Sequence, residues 1–147
     1  MDTRNRRRIS TGSPWEEQAG YSRALVVPDP HGDWIYVSGT TGFDYASMTI
    51  ADDVIAQAEQ CFRNIAETLA RAGSSLADVV RVTYYLADRA HMETVMPVMG
   101  RHFGAIRPAS TAVIAALIDP RMLIEIEVTA RKAPGSSDTG ADGSDGG

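Results

Sequence analysis

The stretch VVRVTYYLADRAHMETVMPVMGRHFGAIRPASTAVIAALI, Val79 to Ile118, decides the fold. It opens with a β-rich run, Val79 to Leu86, and closes with a second, Thr111 to Ile118. Between them, Met92, Val95, Met96, Met99 and Phe103 recur at helical spacing over His91 to Phe103. Pro97 lies inside that segment and predicts a bend or a late helix start. Strand, helix and strand in this order predict a right-handed crossover between two parallel strands.

Upstream, Asp52 to Ala72 is a second helix. Val54, Ile55, Ala58, Cys61, Phe62, Ile65 and Leu69 make its apolar face, and Gln57, Gln60, Arg63, Asn64 and Glu67 its polar one. Asp52 suits the N-cap, and Gly73 suits the left-handed position beyond the last turn. Further upstream, Leu25 to Val27 and Trp34 to Ser38 form a hairpin around the turn-like Pro28 to Asp33. Phe43 to Ile50 is a short edge strand or a loop. Downstream, Asp119-Pro120 turns the chain into a last strand, Leu123 to Arg131. The order β-β-α-β-α-β-β defines an α+β domain. Its two helices can cover only one face of the sheet. The strands at Leu25 and Thr111 are apolar on both sides, which predicts burial of the second face by other copies of the chain. A homo-oligomer with pockets shared between subunits is the expectation.

The bulk properties narrow the function. The chain has 147 residues, 44% of them hydrophobic, which suits one domain with a real core. Its formal net charge is -5, and no basic stripe interleaves with aromatic residues, which disfavours nucleic acid as a partner. No apolar run of about 18 residues is present to cross a membrane. The arginine-rich start lacks the apolar segment of a secretory signal, and Cys61 is the only cysteine. Cytoplasmic residence is expected, with Cys61 a buried structural thiol on the helix face. Residues 1–19 read as an N-terminal arm, with Arg4, Arg6, Arg7 and Arg8 a solvated basic patch. Residues 20–132 read as the domain, and the Gly/Ser/Asp-rich 133–147 as a disordered tail. No nucleophile elbow, phosphate loop, dinucleotide fingerprint or metal-binding helix motif occurs, so neither metal nor cofactor is expected.

Five short segments carry more. They are Tyr21-Ser22, Val37-Ser38-Gly39, Ala72 to Val80 (AGSSLADVV), Arg107-Pro108-Ala109 and Ile124-Glu125-Ile126-Glu127. Their order and spacing resemble the Rid family, the YjgF-type imine and enamine deaminases. The resemblance covers Gly20 to Ala130. It implies a chorismate-mutase-like fold, a trimer with its sheets around a central barrel, and ligand clefts between neighbours. It implies that Glu125 orients the water attacking an imine, though an interface salt bridge is the alternative for a carboxylate on a buried strand. It implies ligand contacts from Tyr21, Ser38, Gly39, Thr40, Met96, Ser110 and Thr111. Thr40 and Thr41 could equally satisfy loop backbone, and Trp15 could lid the cleft or pin the N-terminal segment. One departure stands out: family members carry a carboxylate-clamping arginine where this chain has Ser110. A hydroxyl cannot make a bidentate guanidinium pair. Two readings follow: a cofactor-free imine or enamine hydrolase, and a metabolite-binding protein without turnover. The RNA-directed activity ascribed to some relatives finds little support in an acidic chain. Arg23 or Arg107 reaching the cleft would strengthen the hydrolase reading.

Overall fold

A computed structural model describes residues 5–134 of the chain. The tail read as disordered lies outside these residues from position 135 on, as does Arg4. Eight strands and three helices are described, in the order β1 (Arg7–Ile9), α1 (Pro14–Ala19), β2 (Ala24–Val27), β3 (Trp34–Thr41), β4 (Phe43–Asp44), β5 (Thr49–Ile50), α2 (Val54–Arg71), β6 (Val79–Leu86), α3 (His91–Phe103), β7 (Ala109–Ile114) and β8 (Ile124–Arg131). The main sheet runs β1-β2-β3-β8-β6-β7, and β4 pairs with β5 apart from it. Only β6 and β7 are parallel, joined by α3 as the strand-helix-strand reading requires. The fold class is therefore α+β, as expected.

The core is the layer between the helices and one sheet face. Val54, Ala58, Cys61, Phe62, Ile65 and Leu69 of α2 and Val95, Val98 and Met99 of α3 pack on Val26, Ile35, Val82, Ile124, Ile126 and Val128. Each fully buried aliphatic or aromatic side chain contributes roughly 1.5–3 kcal/mol. The first-turn amides of α2 are capped by Asp53, one residue later than expected, whose carboxylate accepts from the Ile55 and Ala56 amides. Gly73 takes the left-handed conformation beyond α2, at φ 74°. Helix α3 runs unbroken from His91 through Pro97, with no late start.

Several expectations are corrected. Gln57 belongs to the interior, fully buried, because its amide ties three backbone groups together. Nε2 donates to Ala51 O (2.7 Å) and Arg121 O (2.8 Å), and Oε1 accepts from Leu123 N (2.8 Å). The presumed arm contains β1, paired antiparallel with β2, and α1. Ile9 is buried in the core, which is why Arg7–Ile9 adds to the sheet edge instead of waving in solvent. Strand β7 ends at Ile114, and Ala115 to Ile118 leave the sheet. The second sheet face is not a continuous apolar layer. It mixes Leu25 and Tyr36 with Ser38, Thr83, Glu127 and Thr129 around a cleft of about 480 Å³. All six residues of β7 are exposed.

Candidate functional site

The site grows from a bulge in β3. Val37 pairs with Val128 and Thr40 with Ile126, so β3 holds one residue more than β8 between these points. The extra residue reverses the alternation beyond it. Thr40 turns into the core with Ile126, and Thr41 turns to the open side with Glu125. Gly39 lies at the bulge directly against the Glu125 carboxylate.

A cleft of about 530 Å³ opens over this point. Its polar groups include Tyr21, Arg23, Thr41, Tyr45, Asp119 and Glu125. Arg23 is 2% exposed. Its Nη2 donates to Gly39 O at 2.6 Å and its Nη1 to Tyr45 Oη at 3.4 Å, while Nε is buried without a partner. The guanidinium also stands 5.8 Å from the centre of the Tyr21 ring. Asp119 is held by Arg121 through two side-chain contacts, at 2.8 Å and 3.1 Å, which keep its carboxyl well below the usual range, at about 2. Glu125 differs. Burial raises its proton affinity, the Arg23 charge opposes that, and Glu127 adds to it, leaving the pKa above the ordinary carboxylate value. The Tyr21 hydroxyl is likewise raised, chiefly by burial. A half-buried carboxylate with raised proton affinity, open to a cleft, can hold a water and accept its proton.

Helix α1 builds the cleft wall. Ser13 and Glu16 form a reciprocal capping box. The buried Glu16 carboxylate also accepts from the Arg23 amide at 3.0 Å, which fastens the helix to the start of β2. That anchoring sets Trp15 edge-on against Phe43 (5.5 Å) and Tyr45 (6.3 Å). Trp15 both pins the N-terminal segment and lines the cleft.

Of the residues expected at the site, Tyr21, Gly39 and Glu125 meet in this cleft. Ser38 lies beyond Tyr21, in the neighbouring cleft on the open face, and donates to Ser22 O at 2.6 Å. Thr40 is displaced from the site. It is fully buried, and its hydroxyl donates to Ser38 O at 2.9 Å, because the bulge sends it inward. Thr41 stands at the cleft instead, its buried hydroxyl without a partner. Ser110 pairs in register with Val82, on the helix side of the sheet, three β6 residues from the Tyr85–Glu125 level, about 10 Å along the strand. Thr111 is on the open side, where Arg81 Nη2 donates to its hydroxyl at 3.2 Å. Met96 is exposed on α3. Within one chain none of these three lines either cleft. Tyr45, Ile118 and Met122 line the Glu125 cleft without having been singled out, since no local pattern marks a loop residue that only tertiary packing delivers. Among the described residues no three His, Cys, Asp or Glu side chains are grouped to hold a metal, and no helix is long and apolar enough to cross a membrane.

The fold and the sequence together define a known class. The sequence family described as Endoribonuclease L-PSP matches residues 12–132, so the chain belongs to the YjgF/Rid family. The match begins inside the stretch read as an arm and includes α1. The human 2-iminobutanoate/2-iminopropanoate deaminase is 33% identical over 135 residues, covering 91% of this chain and 96% of that one. A RutC family protein of Pyrococcus abyssi is 35% identical over 113 residues, covering 76% and 86%. Among solved structures, a YjgF/YER057c/UK114 family member from Mycobacterium tuberculosis is 39% identical, with a TM-score of 0.76, covering 86% of this chain and 99% of that one.

Proposed function

We propose that this protein is a homotrimeric hydrolase that converts an imine, or its enamine tautomer, to a carbonyl compound and ammonia. The observation that carries this reading is the half-buried, unpaired Glu125 carboxylate facing the cleft beside Gly39. Glu125 holds a water and takes its proton as the oxygen attacks the C=N carbon. A C–O bond forms, and Glu125 passes first the water proton and then the proton of the new hydroxyl to the nitrogen. The C–N bond then breaks, releasing ammonia and leaving C=O. The imine carbon is already electrophilic, so the reaction needs no cofactor. Tyr21 offers its hydroxyl to the ligand, and Arg23 keeps a positive charge near Glu125, favouring its basic form at neutral pH. The identity with a human iminobutanoate deaminase supports the same chemistry.

The trimer is supported by β7, exposed along its whole length as a sheet edge and carrying Val113 and Ile114. A neighbour seated there would bring Ser110 and Thr111 towards a second chain's cleft. The single buried thiol fits the cytoplasm.

The test generates imines in situ, carboxylate-bearing ones with an amino-acid oxidase and carboxylate-free ones with a flavin amine oxidase, and traps each with semicarbazide. Active protein lowers semicarbazone formation in proportion to its concentration, and Glu125→Gln does not. Semicarbazone formation unchanged by the wild-type protein with both kinds of imine removes the hydrolase reading. Sedimentation at working concentration gives a mass of three chains; a single-chain mass removes the trimer.

Ser110 favours a second reading, a metabolite-binding protein without turnover. Ligand-dependent thermal stabilisation with no product is its signature.

A further inference from the structure

Resting on the hydrolase reading, we propose that the Glu125 cleft selects carboxylate-free imines bearing an aromatic or large aliphatic group. Its walls are built for such a group. Trp15, Tyr21, Tyr45 and Met122 line it, and Ile118 and Pro120 form its lip. Ile118 is 96% exposed, an apolar side chain held open beside an apolar opening. Trp15 is nearly perpendicular to both Phe43 and Tyr45, at 76° and 78°, so an aromatic corner stands ready before any ligand arrives. Its position is set by the α1 capping box and the Glu16 tether, which reduces the ordering cost of binding.

The charges act in the same direction. The strongest clamp for a substrate carboxylate is two parallel N–H donors from one guanidinium. Arg23 uses one N–H of each amino group on Gly39 O and Tyr45 Oη, and with only 2% of its surface exposed it does not present a free pair of donors to the cleft. Arg121 is committed to Asp119 and stacks 5.2 Å from the centre of the Phe43 ring. Among the described residues no cationic side chain forms an ion pair with Glu125, and Arg23, whose charge acts on it, is buried, so an incoming carboxylate meets the Glu125 charge in a half-buried setting. A carboxylate-free imine meets no such repulsion, and its protonated form is attracted to Glu125.

The test uses stable ketones matched in shape: phenylacetone, phenylpyruvate and pyruvate, titrated calorimetrically into the full-length protein. Phenylacetone is expected to bind about tenfold more tightly than phenylpyruvate, with pyruvate weaker still. Ile118→Ser, at an exposed position that cannot disturb the core, and Tyr45→Ala should each weaken phenylacetone several-fold and leave pyruvate unchanged. Phenylpyruvate binding as tightly as phenylacetone, or no binding of phenylacetone, overturns the proposal. So does wild-type affinity in both variants. Failure of the protein to hydrolyse any imine strikes the hydrolase reading alone, because the ratio of ketone affinities is measured without turnover.

Discussion

A Cβ placed on Gly39 would stand 2.8 Å from Glu125 Oε1 and 2.9 Å from its Cδ. The bulge glycine and the cleft carboxylate therefore occupy one space, and a side chain at one displaces the other. Gly39→Ala should leave the fold intact, because the flexible glutamate can swing away. Imine hydrolysis should fall on the order of a hundredfold from the misplaced base. Circular dichroism and single-turnover rates check this; full activity in a folded variant would mean that Glu125 does not act from this position.

Glu125→Gln should abolish hydrolysis and raise thermal stability at neutral pH. Burial is the main cause of the raised Glu125 pKa, so the folded state favours the neutral carboxyl and disfavours the carboxylate. The charged form costs stability at pH 7, and the amide removes that cost. The gain should vanish as pH falls below the unfolded carboxylate pKa, where the glutamate is protonated in both states. In the wild type, the acid limb of activity should lie above the ordinary glutamate range. Melting curves of both proteins from pH 3 to pH 8 decide the matter; a variant less stable than wild type at pH 7 contradicts the assigned cause.

Removing the Arg23 charge should move that limb further up. Arg23 opposes the burial effect on Glu125, so Arg23→Met leaves burial and Glu127 acting without that opposition. The same change strips the 2.6 Å donor from Gly39 O and should cost roughly 2–3 kcal/mol of stability. Arg23→Lys should keep the limb nearer its wild-type position. An unmoved limb in folded Arg23→Met would separate the guanidinium from Glu125 electrostatically.

Gln57→Leu tests the support of the cleft from behind. The substitution leaves Ala51 O, Arg121 O and Leu123 N without their buried partner, which should cost roughly 3 kcal/mol in denaturant unfolding. Because Gln57 holds the segment from Arg121 to Leu123, ligand affinity should fall together with stability. A loss below about 1 kcal/mol would show that these backbone groups find other partners.

Range separates the features written in the sequence from those that only packing sets. Amphipathic spacing on α2 and α3 is a local signal, and it located both helices and, with the flanking strands, the parallel pair that α3 joins. Gln57 deceived that signal, because a glutamine at a polar position on the helical wheel was drawn inward by three backbone partners up to 66 residues away. Strand β1 and helix α1 were missed for a related reason. Their few apolar residues, Ile9 and Trp15, have no periodicity of their own and are recruited by β2 and by Phe43.

Sequence alone determined the α+β class, the family and the candidacy of Tyr21, Gly39 and Glu125, because periodic burial and short motifs are written in neighbouring residues. Tertiary structure alone decided that Thr41 and not Thr40 faces the cleft, since one inserted residue at the bulge reverses every side chain after it. It also decided that Arg23, buried against Gly39 O, is the positive charge nearest the base. That pairing joins positions sixteen residues apart across a strand turn, and no local pattern encodes it.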